Sequence, residues 1–312
     1  MMAMRSIAVR DWHLADRADK EPTRDLSAYK RKVEGRRVGK HIAGQRRLNY
    51  EMAEGTIVVV PGPDIFSDVL IGELGKFRRT ISVDLYPNEH LLARDVHWLA
   101  RRPKARFTPE FVESLKTRSP VTQLERSLRE EVLRVAFGQY VIDGTFTARL
   151  ETTTADFSTL DDYDIQTLIN FVAGALLAVE NGYDDEGGLS LAQALAYLRS
   201  DRSAVPDFKS NINSPGSLRL FGQSVVPLVI MMVLSAASTG EAVSAESLQA
   251  RNSKSSVQKD TCALEVESKA KAAVKIMRLD DLQAACEQFR SAEKDAGVKT
   301  SMKATVKAKG KE

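Results

Sequence analysis

The side chains able to do chemistry occur in small, separate sets. Gly35-Arg36-Arg37-Val38-Gly39-Lys40-His41 has the outline of a loop in which glycines let backbone N–H groups cradle phosphate while a lysine adds charge. It is one residue short, lacks Ser or Thr after the lysine and follows no strand-forming run, so no nucleotide loop is expected there. Gly72-Glu73-Leu74-Gly75-Lys76 fails in the same way, and its glycines read as a tight turn beside a strand. His90 and His97 have no Cys or carboxylate cluster beside them, as a metal site would need. Asp161, Asp162 and Asp164 could chelate Mg²⁺, but acids in the first turn of a helix are also what the helix dipole favours, and capping is the stronger reading. Neither G-x-S-x-G nor H-E-x-x-H occurs, and no convincing arrangement of an acidic residue followed by Glu-x-Lys, of the kind metal-dependent nucleases use, is present. Catalysis has no visible address, and neither a cofactor nor a metal is expected.

Composition narrows the class. The 312 residues allow two ordinary domains, and 43% hydrophobic against 28% charged side chains excludes a collagen-like or mainly disordered chain. Two cysteines, Cys262 and Cys286, exclude a disulfide scaffold and a four-cysteine zinc site within one chain. Arg5, Arg10 and Asp11 interrupt the first residues, so no secretory signal is expected and the expected location is the cytoplasm, with membrane association as the alternative. Charge is uneven: residues 1–107 carry 21 Lys/Arg against 14 Asp/Glu, and residues 108–240 carry 10 against 17. A polyanion would meet the basic front, although a solvated surface of uneven charge explains the same numbers.

The elements that must position these residues follow from texture. Residues 1–47 form a basic segment, densest between Tyr29 and Arg47, read as a solvated helix or a loop that orders on a partner. Three short strands are expected at Thr56–Val60, at 69–74 and at 94–99, broken by Pro61-Gly62-Pro63; together they suggest a small β-barrel over 48–118. A mixed α/β middle domain, 119–213, opens with a helix introduced by Pro120. It continues with a hairpin around Asp143-Gly144 and then a helix over 161–180, N-capped by Thr159 and stopped by Asn181-Gly182. Another helix is expected over 189–198. Residues 214–240 read as an apolar helical segment whose 218–238 stretch is either buried in a core or oligomer interface, or associated with a membrane. Residues 241–312 read as a linker, a short helix with Leu282, Ala285 and Phe289 on one face, and a disordered Lys/Ala/Ser-rich tail. The fold class expected is therefore α+β.

The string Leu48-Asn49-Tyr50-Glu51-Met52-Ala53-Glu54-Gly55-Thr56-Ile57-Val58-Val59-Val60-Pro61 leads into Val69-Leu70-Ile71-Gly72-Glu73-Leu74. Arg94-Asp95-Val96-His97-Trp98-Leu99 and Phe107-Thr108-Pro109 follow. In order and spacing this resembles the N-terminal PUA/EVE-like domain of Mrr-type restriction and related prokaryotic defence proteins. Thr56 stands where that pattern usually has Asp. The resemblance implies a compact β-barrel with an aromatic pocket for a nucleobase, often modified, whose lost stacking is restored on an aromatic ring. The rings available are Tyr50, Phe77, Tyr86 and Trp98, with Lys76, Arg78, Arg79, Arg101 and Arg102 for phosphates. Alternatively, Trp98 and Tyr50 simply fill the barrel core.

The expected function is sensing of DNA or a nucleotide-like ligand in a restriction or anti-phage system, in company with other defence-system proteins and with oligomers possible. The alternatives are a divergent nuclease and a membrane-associated effector using residues 218–238.

Overall fold

The computed structural model describes residues 6–8, 36–83, 86–117, 119–154, 157–202, 205–211, 216–240, 242–246, 248–251, 261–300 and 303–306. Two compact units divide the chain at Ala136/Phe137, whereas the sequence texture places its boundary near 118. Both mix helix and strand.

In the first unit, β1 (Ser6–Ala8), β2 (Ile57–Pro61), β3 (Asp68–Val83) and β4 (Tyr86–Pro103) form one antiparallel sheet in the order β1-β4-β3-β2. The runs expected as short strands at 69–74 and 94–99 are parts of strands 16 and 18 residues long. The sheet is a curled half-barrel with β1 and β2 as its edges among the described residues, not a closed barrel. Irregular register helps to curl it. Leu99 is extra between the pairs Ile71↔Ala100 and Gly72↔Trp98, and Gly75-Lys76-Phe77 stand opposite Asp95 alone. Gly72 and Gly75 thus serve a strand, not the tight turn expected of them. A Cβ on Gly72 would lie 2.4 Å from Val96 Cγ1 and 2.8 Å from Trp98 Cε3.

The basic segment is helical at its end. α1 (Arg36–Arg46) runs into a π-helical turn, Arg47–Glu51, and the recurrence of buried Ile42, Gln45, Leu48 and Asn49 gives the helix a buried face. The phosphate-loop look-alike from Arg36 onward is helix interior, and the expected boundary at 47/48 cuts through continuous helix. No helix starts at Pro120. Residues 119–125 are irregular, Arg47 donates to the Val121 carbonyl, and a Cβ on Gly44 would lie 2.7 Å from Pro120 Cγ. The segment is held against α1, and helix begins only with a 3₁₀ turn at Arg126–Leu128 and α3 (Arg129–Ala136). Buried Glu131 of α3 accepts from both the backbone N–H and the hydroxyl of Thr108, at 2.8 and 2.7 Å. Thr108 in turn caps α2 (Pro109–Ser114).

In the second unit the hairpin forms as expected: β5 (Gln139–Ile142) and β6 (Thr145–Thr152) join through Asp143 and Gly144, both at positive φ (48° and 81°). α4 (Thr159–Glu180) starts one residue earlier than Thr159 as a cap would allow, because Ser158 and Asp161 form a reciprocal capping box. Asp161 therefore caps the helix, as read from the sequence. α4 ends at Asn181 with Gly182 at φ 75°. α5 (Leu191–Ser200) crosses α4 closely: a Cβ on Gly174 would lie 2.4 Å from the Ala194 carbonyl oxygen.

The apolar segment over 214–240 is not one helix. Its first part is β8 (Ser217–Gly222), paired with β6 and with β7 (Asp207–Asn211); Leu218 and Leu220 point inward in alternation. Only Val226–Ala237 is helical, α6, and all twelve of its residues are buried. Among the described residues no helix is long and apolar enough to cross a membrane.

Within the remainder, the described residues 261–300 form two long helices and a strand where a linker and one short helix are expected. α7 (Thr261–Ile276) and α8 (Leu279–Ala296) pack with α4 and α6. β9 (Leu248–Arg251) pairs with β11 (Lys303–Val306), and β10 (Val298–Thr300) extends the large sheet beside β6. The tail from 307 onward lies outside the described residues.

These contacts set two expectations. Gly174→Ala should destabilise the protein by about 1–3 kcal/mol, because the added methyl meets backbone and not a flexible side chain; denaturant unfolding measures it, and an effect within experimental error would contradict the close crossing. Cys286 on α8 is 2% exposed, and burial pushes its thiol up from 9.0 to about 11. Its contribution to stability is complete below pH 9 and is lost as pH rises towards 11, since the unfolded thiol ionises first. The loss should be roughly 2–3 kcal/mol and absent from Cys286→Ala, as read from unfolding free energies of both proteins across that range.

Candidate nucleic-acid interface

The β3–β4 ribbon carries the candidate cations, and one buried arginine shapes it. Arg94 is 5% exposed and donates from Nε to the Gly75 carbonyl at 2.9 Å. Its Nη1 donates to the Leu48 and Met52 carbonyls at 3.0 and 2.6 Å. The irregular turn at Gly75 and the end of the π-helical turn are thereby tied to one guanidinium. Both places leave carbonyls outside a regular ladder, and a planar cation with several donors is the side chain that can satisfy them together. Burial lowers the Arg94 pKa from its ordinary value, with the Arg78 charge adding to the effect.

Above this tie, the Arg78 guanidinium lies 4.7 Å from the centre of the Tyr50 ring, a cation–π contact. Arg78 and Lys76 are exposed, and Tyr50 is half-buried. The structure therefore joins Tyr50 to Arg78. Trp98 sits elsewhere, opposite Gly72, half-buried against a cluster of Leu48, Val58, Leu74 and Val96. It forms one wall of the first unit's core while keeping part of its surface in solvent. Phe77 and Arg79 lie on β3 and Tyr86 opens β4, but their side chains, like that of His90, lie outside the described residues. His97 is exposed on β4, opposite buried Glu73.

A second cationic stretch lies at the far end of the ribbon, eight residues along β3 from Arg78, or about 26 Å if fully extended. Arg101 is exposed and ion-paired with Asp68, and Arg102 and Arg106 are exposed. Lys104, by contrast, is 9% exposed and donates from Nζ to the Gly62 and Asp64 carbonyls, both at 2.6 Å. It clamps the loop joining β2 to β3, at whose tip Ile65 and Phe66 are 58% and 92% exposed.

Arg94, Lys104, Arg106 and Phe66 do not stand out in the sequence as site residues. Phe66 carries a signal all the same: large apolar residues directly after Pro61-Gly62-Pro63-Asp64 sit in a turn where a core cannot easily reach them. For Arg94 no local pattern shows that its partners lie 42 and 46 residues away.

Among the described residues no group of three or more His, Cys, Asp or Glu side chains is placed to hold a metal ion. Asp164 on α4 is 9% exposed, and burial together with the Asp161 charge raises its pKa. Comparison with protein-family models, curated proteins and solved structures finds no match to this chain.

Replacing Arg94 by Ala should cost roughly 3 kcal/mol of stability, since buried carbonyls lose their donors. Arg94→Lys should fall between the two, because one ammonium cannot reproduce the planar fork. Denaturant unfolding followed by tryptophan fluorescence reads both. Arg94→Ala as stable as the parent would remove the guanidinium from its central role.

Proposed function

We propose that this protein binds DNA or a nucleotide-like ligand through the β3–β4 ribbon of its first unit, as the base-sensing component of a prokaryotic restriction or anti-phage defence system. The observation that carries the reading is two sets of exposed cations, Lys76 and Arg78 on β3, and Arg101 and Arg102 near the end of β4 with Arg106 in the 3₁₀ turn that follows. Spaced cations suit the repeating charge of a phosphate backbone, and Tyr50 beneath Arg78 supplies aromatic surface beside one set, with half-exposed Trp98 elsewhere on β4. A curled half-barrel is compatible with the PUA/EVE-like domain that the order of its sequence motifs resembles, and recognition of a modified base belongs to the same proposal. The membrane-associated alternative loses its support, because the apolar helix it would use is buried on every side within the second unit.

Salt titration tests the proposal. The full-length chain should bind DNA with an affinity that falls steeply as salt rises. Replacing Lys76, Arg78, Arg102 and Arg106 with Ala should flatten the slope of log K against log salt by up to about 0.7–0.9 for each phosphate that is no longer neutralised. Binding that is independent of salt, or a slope unchanged in the four-residue variant, would place any ligand elsewhere.

A further inference from the structure

The loop between β2 and β3 is closed by hydrogen bonds among its own groups and tipped with exposed apolar side chains. The Asp64 carboxylate accepts from the backbone N–H groups of Phe66 and Ser67, at 2.9 and 2.8 Å. The Gly62 N–H donates to the Asp68 carbonyl at 2.9 Å, closing the loop at its base. Lys104 spends its charge on the Gly62 and Asp64 carbonyls, and its own N–H donates to the Ser67 carbonyl at 3.2 Å. A Cβ on Gly62 would lie 2.3 Å from Ser67 Cβ, so the two sides of the loop approach as closely as a glycine permits. With its backbone so constrained, the loop holds Phe66 almost wholly in water, 92% exposed, with Ile65 beside it at 58%.

A phenyl ring in that position buries little surface on folding and is accessible to a ligand. Two apolar side chains are too small a patch for a protein interface, which needs a broad desolvated core. A single planar ring with a cationic flank suits an unstacked nucleobase beside its phosphates. The flank is present: the Lys104–Ser67 hydrogen bond sets the 101–106 segment directly against the loop, and Arg102 and Arg106 there are exposed. The neighbouring acids are engaged, Asp68 with Arg101 and exposed Asp64 with its own loop, where the Ser67 hydroxyl and then the Phe66 and Ser67 N–H groups hold its pKa below the ordinary value.

We infer that Phe66, supported by Ile65, is a stacking wedge that inserts against bases of single-stranded or locally unstacked nucleic acid while Arg102 and Arg106 meet the flanking phosphates. This rests on the nucleic-acid reading and names the mode of engagement and the class of substrate: bases accessible outside a continuous stack. Preorganisation of the loop means that little further ordering is required when it binds.

The test uses the full-length chain, single-stranded DNA carrying a fluorescent base analogue, and the variants Phe66→Ala and Phe66→Trp. Phe66 is exposed, so neither variant should disturb folding. Phe66→Ala should weaken binding by about 5- to 100-fold and abolish the change in analogue fluorescence, leaving the salt slope untouched. Phe66→Trp should retain affinity, with its indole emission quenched on binding. If the parent binds DNA and Phe66→Ala binds equally well, the wedge is wrong while the nucleic-acid reading stands. If the parent binds no DNA, both fail. Phe66-dependent sedimentation with phosphatidylserine vesicles, in a protein that ignores DNA, would instead assign the loop to a lipid surface and overturn the inference.

Discussion

A helix with no exposed residue must be enclosed on every side, and α6 imposes that requirement on the second unit. The β6–β8 sheet lies against it with Ala148, Leu150, Leu218 and Leu220 facing inward, and α4, α7 and α8 close over it together with the β9–β11 pair. Its C-terminal end emerges at half-buried Ser238 and exposed Thr239, which donate to the Leu234 and Ala236 carbonyls, and Arg290 from α8 donates to the Ala237 carbonyl at 2.8 Å. The C-terminal region is therefore part of the enclosure and not an appendage: α7, α8 and β10 all contribute buried side chains to the same core.

The first unit solves a different problem, that of holding a strongly curled ribbon in place. Buried apolar side chains such as Val69, Ile71, Leu74 and Phe111 pack within it, and polar ties add to the positioning: Arg94 joins the ribbon to the π-helical turn, Lys104 closes the β2–β3 loop, and Glu131 joins α3 to the start of α2. Each is a long side chain with its stem among neighbours and its charged end on backbone groups that the irregular geometry leaves without ladder partners. Cations used in this way are taken out of the pool that could meet a ligand. Exposed cations on the ribbon and the turn after it, at Lys76, Arg78, Arg101, Arg102 and Arg106, define the surface on which the proposed binding depends.

Legibility of the site differs residue by residue. The rule that cations and aromatics mark an interface selects Tyr50 with Arg78, which do meet, and Trp98, which mainly walls the core. The same rule cannot separate exposed Arg102 from buried Arg94, since both are arginines on one strand and differ only in what lies beneath them. Lys104 is hidden for the same reason. The exposure of Phe66 depends on a loop closed by a lysine 38 residues further along the chain, and no local window contains both.

Short-range physics is readable without coordinates. The Asp143-Gly144 turn, the capped start of α4, its stop at Asn181-Gly182 and the strand before Pro61 depend on neighbours within a few residues, whose conformational preferences act in the unfolded chain as well as the folded one. Tertiary structure decided the rest. Apolar runs do not by themselves distinguish strand from helix, so the division of 217–237 into β8 and α6 waited on the pairing of Leu218 and Leu220 with β6. Among its described side chains α7 buries Val266, Ala270, Ala273 and Val274, a face too thin in apolar mass to stand out from the sequence. The polar outer halves of β3 and β4 became strand because each supplied the other with hydrogen-bond partners, a choice that neither segment's composition could make alone.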